Sequence, residues 1–177
     1  MRILREIYRR PGDYTRGRVN LREAVRAVVR RDGLILLVHS EKNGDYKFPG
    51  GRVEAGETHP AALARELAEE CGVRLAAVDG GYGRVLEFDR AFEPGSDIFQ
   101  MISYYYLCRI TAEQNPLQLE AYERELGFHP EWVTLAEAIA ANQRVLTRSV
   151  PKAPTWTPRE TFVLEHLLAD GGRSEEH

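Results

Sequence analysis

Residues 51–73 read GRVEAGETHPAALARELAEECGV, and five glutamates (Glu54, Glu57, Glu66, Glu69 and Glu70) crowd into this stretch. At roughly 100° per residue, Glu66, Glu69 and Glu70 share an arc about 100° wide on one helix face. Pro60, Ala61, Ala64, Leu67, Ala68 and Cys71 fall opposite them and make a small-residue face suited to close packing. Like charges three and four residues apart cost a helix a few tenths of a kcal/mol each, so a sequence shaped by helix stability alone would interleave lysines. A divalent cation removes that conflict, because hard ions such as Mg²⁺ and Mn²⁺ prefer carboxylate and carbonyl oxygens. Ahead of the helix, Phe48-Pro49-Gly50-Gly51 places two glycines where backbone can approach a ligand, and Thr58 is set to cap a helix that tolerates Pro60 in its first turn.

The spacing is more specific than an acidic helix. Gly51, five residues, Glu57, seven residues, Arg65-Glu66-Leu67, one residue, Glu69-Glu70, one residue and Gly72-Val73 resembles the complete signature of the Nudix hydrolases, with no position departing. The resemblance implies an α/β fold of the Nudix type: an α/β/α sandwich with a mixed β-sheet between helices. It implies a hydrolase that cleaves the pyrophosphate linkage of a nucleoside diphosphate derivative, such as a nucleoside triphosphate, a nucleotide sugar, ADP-ribose or a dinucleoside polyphosphate. Carried over by position, Glu66, Glu69, Glu70 and the carbonyl of Gly50 hold Mg²⁺, with Mn²⁺ as a substitute. Glu57 and Arg65 form an orienting pair, and Gly51 serves backbone geometry. The general base is Glu66 or a glutamate from a loop outside the signature, with Glu120 as the candidate. Marks that distinguish subgroups are absent or displaced. The motif of the coenzyme A group is missing apart from its Phe48-Pro49-Gly50-Gly51 ending, and Pro94 comes too late for the proline of ADP-ribose enzymes.

A chain of 177 residues with 43% hydrophobic and 9% aromatic residues can build one sizeable core, so a single domain over 1–177 is expected. The 24 basic and 27 acidic residues give a formal charge of −3. That balance gives no support for DNA as a partner and little for the basic channel of an RNA 5′-pyrophosphohydrolase. A non-catalytic Nudix-like regulatory module would tolerate losses among Glu66, Glu69 and Glu70, and none is lost. Cys71 and Cys108 read as reduced packing residues. There is no export signal and no apolar run long enough for a membrane span, so a cytoplasmic enzyme with a small nucleotide substrate is expected. The sequence leaves a homodimer open.

Along the chain, residues 1–20 carry Arg2, Arg5, Arg9, Arg10, Arg16 and Arg18 with Tyr8 and Tyr14, a mixture able to touch phosphate or base, although a solvated arm or edge strand is the stronger reading. Ala24–Val29 and Leu34–His39 read as strands joined at Asp32-Gly33, a hairpin dipeptide. Tyr46 and Phe48 flank the approach to the signature and, with Tyr104, are candidate base-stacking residues, although packing competes for each. His39 and His59 read as structural or surface groups. Residues 73–77, 82–88 and 98–110 read as strands, the first two split by Gly80-Gly81. The acidic stretch 111–127, with Glu113, Glu120, Glu123 and Glu125, reads as a loop able to bring a carboxylate to the metals. Thr134-x-x-Glu137 is a capping box that opens a helix to Gln143, and Thr157-Pro158-Arg159-Glu160 reads as another, opening a helix ended by Gly171-Gly172. Trp156 is expected to anchor the proline-rich segment before it. Residues 171–177 read as a flexible tail.

Overall fold

The computed structural model describes residues 1–112 and 114–174, so Glu113 and residues 175–177 of the expected tail lie outside the described residues. Among the described residues eight strands and four helices follow in order: β1 (Ile3–Tyr8), β2 (Val19–Val28), β3 (Arg30–Arg31), β4 (Leu34–Ser40), β5 (Tyr46–Lys47), α1 (His59–Cys71), β6 (Leu75–Arg90), β7 (Ile98–Ile110), α2 (Ala121–Glu125), β8 (Phe128–Val133), α3 (Leu135–Leu146) and α4 (Thr157–Ser174).

The strands form two four-stranded sheets, one ordered β1-β6-β7-β2 and the other β3-β4-β5 with β8 on the free side of β4. β1 and β2 run parallel to their neighbours β6 and β7, which pair antiparallel, so the first sheet is mixed. Asp32 and Gly33 both have positive φ (52° and 78°) and turn β3 into β4, the backbone that a two-residue Asp-Gly hairpin requires.

Strand alternation builds the layers. Val25, Ala27 and Val29, with Leu36 and Val38, pack beneath Ala62, Leu63, Leu67 and Cys71 of α1. The alternate residues Val28, Ile35 and Leu37 join Leu135, Ala138 and Ile139 of α3 and Val163, Leu164 and Leu167 of α4 in a second core. Period-2 side chains therefore feed two helical layers from one set of strands, which is an α/β/α arrangement. Among the described residues no helix is long and apolar enough to cross a membrane.

Four expectations change. Gly80-Gly81 does not split a strand: β6 runs unbroken for 16 residues and absorbs the glycines as register shifts against β7. The acidic loop contains a short helix, α2. Gly171 and Gly172 lie inside α4, which extends to Ser174, so the expected tail begins as helix. The second capping box does not form its local bonds. The Thr157 hydroxyl donates to Asp45 Oδ2 at 2.8 Å, and Glu160 accepts the Phe48 N–H at 2.9 Å, so tertiary partners take both side chains. The first box does form, with Thr134 and Glu137 bonding reciprocally at the start of α3.

Candidate active site

α1 begins at the Thr58 cap, whose side chain accepts the Ala61 N–H, and ends at Gly72 in the left-handed conformation (φ 66°). Its acidic face meets residues 49–53, which are pinned to β2: Ala27 N–H donates to Pro49 O (2.8 Å), Val25 N–H to Gly51 O (3.0 Å) and Val53 N–H to Glu23 O (3.0 Å). The glycines are needed for this approach. A Cβ on Gly50 (φ 139°) would stand 2.0 Å from Val25 O, and one on Gly51 would stand 2.2 Å from Glu66 Oε1.

Arg65 is the hub of the carboxylates. It forks onto Glu57 through Nε and Nη2, both at 3.0 Å, and its Nη1 reaches Glu66 Oε1 at 2.7 Å and Glu69 Oε2 at 3.4 Å. Its Nη2 also donates to the Arg52 carbonyl at 3.0 Å, which ties the loop to the helix. These hydrogen bonds hold the Glu57 carboxyl below its ordinary range. Glu70 is fully buried, pairs with Lys47 Nζ and accepts the Gly50 N–H at 2.8 Å. Burial pushes its pKa up to about 7, against the pull of the Lys47 charge. Burial raises the Glu66 carboxyl as well, with Arg65 pulling the other way. Positive charge added beside either carboxyl favours its ionised form.

The donor set fits a hard divalent ion. It has carboxylate oxygens from Glu66, Glu69 and Glu70 and the Gly50 carbonyl, which here accepts a hydrogen bond from Arg26 Nη1. The Cβ-free face of Gly51 leaves room for the Glu66 carboxylate beside this loop.

In front of the carboxylates lies a cavity of about 790 Å³. Gly50, Gly51, Glu66, Glu69 and Arg65 line one part of it, and Glu120, Tyr122 and Glu123 of the α2 segment line another. Arg9, Arg22, Arg26, Arg52, Lys47 and Arg159 bring positive charge, while Phe99, Met101, Phe128 and Trp156 bring apolar surface. Trp156 is anchored as expected, with its Nε1 donating to Asp45 Oδ2 at 2.8 Å and its ring edge-on to Phe128. Beneath the cavity, Arg159 is 1% exposed and bonds both Glu160 (2.7 Å) and Glu87, while Glu87 also accepts from Arg9 at 2.8 Å.

The three aromatic candidates do not face this cavity. Phe48 is fully buried and packs edge-on to Tyr105, so core packing displaces the expected base contact. Tyr46 is 8% exposed, joins the α3–α4 core and donates its hydroxyl to Glu131 at 3.0 Å. Tyr104 donates to Glu23 at 3.0 Å and lies against the ring of His59, whose Nδ1 is 2.6 Å from the Tyr106 hydroxyl. Glu120 does reach the cavity; its backbone N–H is bound by Glu123 Oε2 at 2.8 Å, and Glu123 also accepts the Tyr122 hydroxyl at 3.0 Å.

Apart from Arg9, the basic wall was not expected from the sequence, although one signal was there. Arg22, Ala24 and Arg26 alternate with Glu23, Val25 and Ala27 along β2, and arginines repeated on one face of an otherwise apolar strand mark a face that meets something charged. Phe99 and Met101 stand opposite Asn20 and Arg22 on β7. Arg9 and Arg159 come from the chain's two ends, and only tertiary structure brings them together.

A helix-borne carboxylate set, a glycine loop and a cavity of about 790 Å³ with a basic wall come together on an α/β/α frame. The NUDIX domain family profile matches residues 20–154, and the chain belongs to that family. Over 55 residues it is 46% identical to a CTP pyrophosphohydrolase of Escherichia coli, covering 29% of this chain and 41% of that protein. Over 53 residues it is 42% identical to an ADP-ribose pyrophosphatase of Methanocaldococcus jannaschii, covering 28% of this chain and 31% of that protein. The chain thus spans less than half the length of these curated relatives. A NUDIX hydrolase from Nitrosomonas europaea shares the fold with a TM-score of 0.57 at 19% identity, over 84% of this chain and 90% of that one.

Proposed function

We propose that this protein is a divalent-metal-dependent pyrophosphohydrolase acting on a nucleoside diphosphate derivative, through attack of water on phosphorus and cleavage of a P–O–P anhydride bond. The observation that carries the reading is the shared cavity. Glu66, Glu69 and Arg65 of α1, six further basic side chains and four apolar ones converge on one space large enough for a nucleotide. Glu66, Glu69, Glu70 and the Gly50 carbonyl would hold Mg²⁺ or Mn²⁺, which neutralises the pyrophosphate and lowers the pKa of a bound water. Arg22, Arg26 and Arg52 suit phosphate oxygens, because a guanidinium offers paired donors without losing its charge. Arg65 keeps Glu66 and Glu69 oriented, and Trp156 with Phe128 offers a surface for a base.

Glu66 is the first choice as general base, since it lines the cavity and burial raises its proton affinity above that of an ordinary carboxylate. Glu120, across the cavity, is the second. The two curated relatives carry names with different substrates, CTP and ADP-ribose, and match this chain over less than a third of its length. Nucleoside triphosphates, nucleotide sugars, ADP-ribose and dinucleoside polyphosphates therefore all belong in the test. The assay is a Mg²⁺-dependent screen of these compounds comparing wild type with Glu69→Gln, Glu70→Gln and Glu120→Gln. Turnover of any of them is expected to fall at least 100-fold, about 2.7 kcal/mol, in Glu70→Gln. Turnover unchanged in both Glu69→Gln and Glu70→Gln overturns the mechanism.

A further inference from the structure

β4 and β8 lie side by side with His39 directly opposite His129, and Glu131 stands opposite Leu37. Alternation puts all three side chains on the sheet face that carries Ile35, Leu37 and Tyr46 toward α3, whereas α1 and its carboxylates pack on the other face through Leu36 and Val38. None of the three lines the nucleotide cavity.

We propose that His39, His129 and Glu131 form a second metal site, independent of the carboxylates of α1, that takes a borderline transition ion, with Zn²⁺ the best match. One ligand atom from each residue lies within 4.8 Å of the other two. Donors around a tetrahedral zinc sit roughly 3.4 Å apart, given metal–ligand distances of about 2.0–2.2 Å, so small side-chain rotations close the site. Two imidazoles with one carboxylate select Zn²⁺, Ni²⁺ or Cu²⁺ and discriminate against Mg²⁺, which prefers oxygen.

The surroundings are those that metal-binding histidines use. His129 Nδ1 lies 3.2 Å from the Gly127 carbonyl, an acceptor that requires the proton on Nδ1 and leaves the Nε2 lone pair free. That Nε2 stands 3.9 Å from Glu131 Oε2, and the same oxygen accepts the Tyr46 hydroxyl at 3.0 Å. The His39 ring is held between Tyr46 and His129, at centroid distances of 4.6 and 5.1 Å. His129 and Glu131 are 40% and 43% exposed, which gives an ion an entry path and leaves a fourth position for water. An ion here would tie β8 to β4 immediately after Phe128, a residue of the cavity wall. The site would thus brace the segment that also carries Glu120.

The test is Zn²⁺ titration by calorimetry in millimolar Mg²⁺, which occupies oxygen-rich sites, with wild type, His39→Asn and His129→Asn. Wild type should bind one Zn²⁺ per chain, and each variant should bind it at least about 100-fold more weakly, more than the loss of a supporting contact would cause. Both variants should keep the wild-type rise in Tm on adding Mg²⁺. In wild type, long-range ¹H–¹⁵N spectra should show ring-nitrogen signals of His39 and His129 moving on Zn²⁺ addition while those of His59 and His166 stay. Equal Zn²⁺ affinity in the variants, or unmoved His39 and His129 signals, overturns the proposal, and the wild-type spectrum decides even if a variant fails to fold.

Discussion

Arg159→Leu should be among the most destabilising single substitutions in this protein. Arg159 is 1% exposed at the start of α4, with Glu87 (1%) and Glu160 (0%) beside it. Its Nε and Nη2 reach Glu160 Oε1 at 2.8 and 2.7 Å, and its Nη1 pairs with Glu87. Removing one member of a buried charge cluster leaves the others dehydrated and uncompensated, at a cost of about 3–5 kcal/mol. Some compensation survives: Glu87 keeps Arg9 at 2.8 Å, and Glu160 keeps the Phe48 N–H at 2.9 Å and Arg26 at 3.9 Å. The expectation is therefore the lower end, about 3 kcal/mol. At this chain length that corresponds to a fall in Tm of about 6–12 °C. Urea unfolding in EDTA, followed by fluorescence of Trp132 and Trp156, should show a lower midpoint with an unchanged m-value. The Arg159 and Arg26 charges hold Glu160 below its ordinary range despite its burial. Without Arg159 that carboxyl should take up a proton more readily, so the deficit should shrink as the pH falls. A loss under about 1 kcal/mol at neutral pH, or one independent of pH, refutes the assignment of this cluster as a mutually dependent network.

The two loop glycines should separate fold from chemistry. Gly50→Ala forces a Cβ onto the Val25 carbonyl at a φ that L-residues avoid and should lower Tm. Gly51→Ala presses only on the end of the Glu66 side chain, and should leave Tm within a few degrees while weakening Mg²⁺ binding and turnover. Glu70 should set a pH dependence. Its folded-state pKa is raised, so its contribution to the stability of the metal-free protein is full below the unfolded value of 4.5 and is lost as pH rises through about 7. Metal needs the ionised form, so Mg²⁺ affinity measured by Tm shift should weaken as pH drops below about 7, and Glu70→Gln should abolish that trend. Millimolar Mg²⁺ should raise the wild-type Tm through preferential binding to the native state, and an unchanged melting curve would count against a formed site.

The helix of the signature was legible because its determinants are local. A cap at Thr58, a period-3.6 apolar face and Gly72 at its end leave few other conformations. The hairpin at Asp32-Gly33 was legible for the same reason. Side-chain competition was not. Thr157 and Glu160 have capping-box spacing, but Asp45 and the Phe48 amide lie more than a hundred residues away and bind them instead. Gly80-Gly81 looked like punctuation, yet β7 pairs with both glycines, through Leu107 and Tyr106, and carries β6 through. In the site, the carboxylates could be read from spacing. The rings could not, because alternation alone does not say which face of Tyr46, Phe48 or Tyr104 meets the cavity. Arg9 and Arg159 depend on how the chain's two ends converge, which no local pattern encodes.

The Phe48 amide is fixed by a carboxylate 112 residues further along, on a helix that lies beyond the stretch matching the family profile. During synthesis the signature helix can form early and its glycine loop can bond β2, but the Phe48 amide that leads into the loop has no carboxylate until residue 160 has left the ribosome. From the end of α1 at Cys71 to residue 160 is 89 residues, which at 5–20 residues per second take roughly 4–18 s. Through this interval the crowded glutamates of α1 stand beside an unfinished loop. A nascent chain that stops at residue 154 would carry every signature residue and still lack the floor on which they are set.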